Sequence, residues 1–217
     1  MNSFSDLKCH THLSFFLLLC FTGGFVDAGS FVIFEVFTGH LTGNSVLSMI
    51  YVTQMNWKAL LISAVSVSGF IFGTMSGAVL RMKSESPSLY KYITGLIFII
   101  FITVFSLRFF AVSMYSDNFT VFMISFSMGV LNGCFNKVGV VGIHPTYVTG
   151  MTTSCIGALL KNTKGDNSKK TLFFAVLSFV SGALTGGFLS VNYHFAGFSA
   201  ALILLFAALL CSPGFKQ

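Results

Sequence analysis

Asp27 is an acid inside an apolar run, Leu13–Phe34, where water is scarce. An ionisable group at that depth is costly, and it faces a cavity or a polar partner and commonly marks a proton or ion pathway. A matching segment recurs later in the chain: Gly24-Phe25-Val26-Asp27 answers Gly129-Val130-Leu131-Asn132. The amide of Asn132 keeps the shape of the carboxyl group but cannot titrate. One titratable and one neutral copy would suit proton coupling, and a structural hydrogen bond between helices is the alternative. A second pair follows, Thr42-Gly43-Asn44 and Thr149-Gly150-Met151, each just before a short apolar stretch. A threonine there can N-cap a half-helix, and glycine lets the backbone turn or approach a ligand closely. Free N–H groups at such an end attract anions and polar solutes. In the plainer reading, Thr-Gly shapes a re-entrant turn. The candidate solute-binding residues are therefore Asp27, Thr42, Gly43, Asn44, Asn132, Thr149 and Gly150, with Glu35, His40, His144 and Lys137 ranked below them.

Other residue types carry less. Gly69, Gly73 and Gly77, and again Gly182 and Gly186, repeat at helical spacing, which in lipid permits close approach of helix backbones. Cys9, Cys20, Cys134, Cys155 and Cys211 are scattered, with no paired spacing, and read as thiols rather than disulfides or metal ligands. His10 and His12 are too few to define a metal site. No metal and no cofactor is expected.

These residues need elements to hold them, and composition says what kind. The chain has 217 residues, 54% hydrophobic and 8% charged, with 27 phenylalanines. A soluble domain carries about 25% charged residues to wet its surface. Lipid must therefore solvate most of this one. The net charge of +6 would suit nucleic acid in a soluble protein, but here the basic residues separate apolar runs and act as topology signals. A crossing helix needs about 20 apolar residues. Leu13–Phe34, Ala59–Leu80, Tyr92–Met114, Phe119–Asn136, Thr171–Val191 and the short Phe195–Cys211, after a turn at Asn192-Tyr193-His194, make six. Lys8 ahead of the first run resembles a signal peptide, but the run continues to Phe34 and reads as an uncleaved helix. With six spans, Lys8, Arg81, Lys83, Lys91, Lys161, Lys164, Lys169, Lys170 and Lys216 share the cytoplasmic side with both termini, and only Lys58 and Arg108 lie outside. Val36–Val52 and Val138–Leu160 are long enough to raise eight crossings, but these would move Arg81, Lys83 and Lys91 outside. The two segments are therefore left over as re-entrant pieces or broken helices, allowed where protein or a cavity covers them.

The matches noted above, with Ser68–Gly73 against Ser181–Gly186, fall in the same order in two halves, about 13–114 and 119–211 of a single membrane domain. Three spans per half force opposite orientations. The expected fold is all-α and transmembrane, a six-helix bundle of two inverted three-helix repeats with broken or re-entrant Thr-Gly segments. The runs GGFVDAGSF…FTGHLTGNSV and GVLNGCFNKVGVVGIHPTYVTGMTTSCIGALL resemble the two signatures of the YoaK-like bacterial membrane proteins, a family of unknown function. Leu131 and Pro145 depart from that pattern, where Gln and Thr are expected. The resemblance implies a bacterial inner-membrane protein and brings no substrate.

Inverted repeats with interrupted helices are a recurring plan of secondary transporters. The functional expectation is a transporter-like protein for a small polar or anionic solute, with proton coupling through Asp27. Its partners would be the bilayer and that solute, not nucleic acid, with a homo-oligomer left open. A non-transporting module that binds lipid or a partner is the alternative. A membrane-embedded enzyme ranks last, since no HExxH motif or acid–histidine cluster is present.

Overall fold

The computed structural model describes residues 3–83, 86, 88–110, 114–135, 144–160 and 168–212. Lys137, the Lys161–Asp166 segment and both extreme termini lie outside the described residues, as do the side chains of Cys9, His10 and His12. Among the described residues the chain forms α1 (Ser3–Phe34), α2 (Leu41–Thr53), α3 (Trp57–Lys83), α4 (Ser88–Phe110), α5 (Met114–Cys134), α6 (Val148–Leu160), α7 (Ser168–Phe198) and α8 (Ala201–Leu210).

Four of these helices, α1, α3, α4 and α7, are long and apolar enough to cross a membrane. The other two expected spans take a different form. α5 has 21 residues, but its first turns carry Ser116, Asp117, Asn118 and Thr120, which lower its hydropathy. α8 has only 10 residues, because the closing segment is interrupted. That interruption is the turn at Ser199-Ala200; a separate break falls at His194, whose left-handed φ of 50° kinks α7 at the turn expected from Asn192-Tyr193-His194. The two leftover segments are helical. α2 and α6 have 13 residues each, about 20 Å, and are too short for the roughly 30 Å hydrocarbon core.

Two tight pairs dominate the packing: α3 with α5, and α1 with α7. In the first, Gly69, Gly73 and Gly77 lie against the backbone of Phe122, Phe126 and Val130, while Gly129 and Gly133 of α5 lie against Phe70 and Thr74. In the second, Gly182 and Gly186 lie against Phe21 and Phe25, and Gly24 against Phe179. A Cβ at Gly73 or Gly182 would collide with main chain, which cannot yield as a side chain can. Residue numbers rise together across both contacts, so the helices of each pair run parallel. α2 packs on α3, α6 on α7, α4 on α5, α8 on α1, and α4 on α8. The core holds large apolar groups, with Phe15, Phe16, Phe101, Phe135 and Phe198 fully buried.

Candidate functional site

Asp27 lies seven residues before the end of α1, about 10 Å along its axis. After Phe34 the chain reverses: Glu35 adopts a left-handed φ of 59°, and residues 35–40 run back along α1. There the Thr38 and Gly39 backbone N–H groups both donate to Asp27 Oδ1, at 3.0 and 2.8 Å. His40 Nδ1 stands 3.8 Å from Asp27 Oδ2. Ser30 Oγ contacts Thr38 Oγ1 at 3.1 Å and donates to the Asp27 carbonyl at 3.0 Å. The carboxyl group is buried and gathers the loop before α2 onto α1.

Asn44, the fourth residue of α2, makes a second fastening. Its Oδ1 accepts the Phe37 N–H at 3.0 Å, and its Nδ2 donates to the Phe37 carbonyl and to Ser66 Oγ at 2.9 Å from the latter. Ser66 Oγ also meets Ser125 Oγ of α5 at 2.8 Å, and Ser48 meets Ser63 at the same distance. This line of buried serines was not among the sequence candidates. Its signal was the three-residue spacing of Ser63 and Ser66 on α3, though Ser68, Thr74 and Ser76 of the same helix bond only within it.

The remaining candidates separate. The cap of α2 is His40, with no side-chain cap bond, so Thr42 does not cap the helix as expected but sits inside its first turn. α6 likewise begins one residue before Thr149. Both threonine side chains are exposed, and Thr42 lines a shallow outer groove with Val46, Met49 and Ile50, away from Asp27. Gly43 makes room for the Phe37 ring and Gly150 for the Tyr147 ring. The two helix starts are nonetheless close in space: a Cβ on Gly39 would come 3.2 Å from Thr146 Cγ2 and 3.5 Å from Asp27 Oδ1. Thr146 is buried, and among the described residues its Oγ1 has no hydrogen-bond partner, nor has Asn132 Oδ1. From this junction α2 runs toward the end of α1, where the Tyr51 hydroxyl donates to the Glu35 carbonyl. α6 runs the opposite way, toward the start of α7, where Cys155 Sγ approaches the Lys169 carbonyl at 3.9 Å.

Long apolar helices around buried polar fastenings define a multi-pass helical membrane protein. The chain belongs to the family described as "Protein of unknown function (DUF1275)", whose profile matches residues 15–211. It is 24% identical over 205 residues to the UPF0700 transmembrane protein YoaK of Bacillus subtilis (strain 168), covering 89% of this chain and 90% of that one. No solved structure matches it.

Proposed function

We propose that this protein is an inner-membrane transporter-like protein, built from two inverted repeats of three crossings each, for a small polar or anionic solute, with Asp27 as the proton-coupling group. The observation that carries this reading is the meeting of α2 and α6, from opposite ends of the bundle, at Gly39 and Thr146 beside Asp27. Half-helices entering from the two membrane faces aim their N-terminal dipole ends at the midplane, which favours anionic or neutral polar groups there and opposes cations. The packing supports the repeat. Exchanging α1–α4 with α5–α8 turns the α3–α5 pair into α7–α1, α2–α3 into α6–α7, and α4–α5 into α8–α1. Facing groups follow the same exchange: Gly73 against Phe126 becomes Gly182 against Phe21, and Gly77 against Val130 becomes Gly186 against Phe25. Both termini then face the cytoplasm, with Lys58 and Arg108 outside.

In the conformation described, the loop N–H groups occupy Asp27 Oδ1 and the junction is closed. Protonating the carboxyl group weakens it as an acceptor and frees the loop, which would couple a proton to opening. The test is uptake of polar and anionic solutes into proteoliposomes across a pH series, with Asp27→Asn beside the native protein. The variant is expected to insert, to bind solute, and to lose the pH dependence. Absence of uptake, binding and pH dependence across a broad panel would overturn the reading. Failure of Asp27→Asn to accumulate in the membrane would instead make the carboxylate a permanent bolt, as in a non-transporting module.

A further inference from the structure

At the end of the bundle where α1 and α2 finish and α3 and α5 begin, a cleft of about 260 Å³ opens between the helices. Its lining combines the apolar side chains of Ile33, Phe34 and Ile62 with the charged residues Glu35, Lys58 and Asp117. Asp117 is already engaged, with Arg108 Nε 2.8 Å from its Oδ1 and the guanidinium lying over the Phe195 ring. Glu35 and Lys58 differ: among the described residues neither forms an ion pair, although they share one cleft and have opposite charge. The Glu35 backbone is also held in place. Its N–H donates to the Phe31 carbonyl at 2.9 Å, its carbonyl accepts the Tyr51 hydroxyl at 3.2 Å, and its backbone is left-handed. An anion on a held backbone and a cation that do not pair with each other, beside apolar side chains in one cleft, complement a small molecule that carries both charges.

We propose that this cleft binds a small zwitterion, with Lys58 meeting its anionic group and Glu35 its ammonium group. The chemistry is shared by a free amino acid with an aliphatic side chain and by the headgroup of an ethanolamine phospholipid. The proposal concerns binding alone, at a place separate from the Gly39–Thr146 junction, and holds whether or not a solute crosses the membrane.

Trp57, the only tryptophan in the chain, is exposed beside Lys58 and serves as the reporter. The full-length protein in phosphatidylglycerol nanodiscs is titrated with leucine, N-acetylleucine, leucinamide and glycerophosphoethanolamine while Trp57 emission is followed. A saturable change is expected with leucine or glycerophosphoethanolamine and not with the two singly charged analogues. Glu35→Gln and Lys58→Gln are each expected to weaken that binding about tenfold, since both side chains are exposed and the fold does not depend on them. Response to leucine alone assigns the site to a free solute. Response to glycerophosphoethanolamine, with leucine displaced when phosphatidylethanolamine is added to the nanodiscs, assigns it to lipid. No saturable response to either zwitterion, equal response to a singly charged analogue, or binding unchanged by both substitutions would overturn the proposal.

Discussion

Asn44 shows how a single side chain closes the reversal between α1 and α2. It bonds both backbone groups of Phe37, in a loop that has no other regular structure to satisfy them. Asn44→Ala leaves the Phe37 N–H without its acceptor, while the carbonyl keeps Ser66 Oγ at 2.6 Å. A fully buried donor left unmade costs about 1–3 kcal/mol; this one is part-buried, so thermal unfolding of the purified variant should register a loss of about 1 kcal/mol. The second half is fastened differently. Pro145 stands where the repeat would place Thr38, so the ring removes the N–H that Asp27 uses in the first half, and among the described residues Asn132 Oδ1 has no partner. Asp27 was legible in the sequence because a lone acid in an apolar run demands an explanation. Its partners were not, because they are backbone groups of Thr38 and Gly39, and only the left-handed turn at Glu35 brings them back.

Among the elements, the glycine ladders were legible as close-packing faces, but their register was not. Sequence alone aligned Ser68–Gly73 with Ser181–Gly186. Under the proposed repeat, in which Phe126 and Val130 answer Phe21 and Phe25, the facing carbonyls would instead match Gly73 with Gly182 and Gly77 with Gly186, one helical turn further along α3. A pattern of small residues every four positions matches itself after any whole turn, so identity alone cannot fix the phase; the neighbouring helix does. Substitution separates packing glycines from incidental ones. Gly73→Leu forces α3 away from the Phe126 backbone and should cost about 1–3 kcal/mol, read as a lowered midpoint of thermal unfolding. Gly157→Ala in α6 meets nothing within 4 Å among the described residues and should leave the midpoint unchanged or raise it, since alanine favours a helix by about 0.5–1 kcal/mol. Equal losses from both would mean that α3–α5 contact is not what these glycines serve.

For the molecule as a whole, hydropathy told where lipid must be and left the number of crossings open. Apolar length identifies α1, α3, α4 and α7 directly. α5 has the length but a polar start, and α8 lies beyond the His194 break, so neither stands out by composition. The basic residues add the direction. Lys58 and Asn118 line one cleft at one end, while Arg81 reaches the Cys134 carbonyl at 2.8 Å at the other end of the same helix pair. In a cysteine-free background, Lys58→Cys and Asn118→Cys should react with an impermeant maleimide added outside intact cells. Lys83→Cys should react only after permeabilisation. The reverse pattern would invert the topology, and labelling of all three from outside would reject six crossings.

The exchange of partners between the halves has a consequence for biogenesis. α1 finds its groove on α7 and α3 finds its groove on α5, so the glycine-lined faces of the first half leave the ribosome unmated. Asp27 does not share that wait, because Thr38 and Gly39 follow it within the same stretch of chain and can satisfy it before the second half exists. Membrane insertion would thus begin with a locally sealed hairpin and end with a late interlocking step that needs α7 and then α8. A chain truncated before that point presents its bare small-residue faces to every other helix in the bilayer, and to the proteases that survey it.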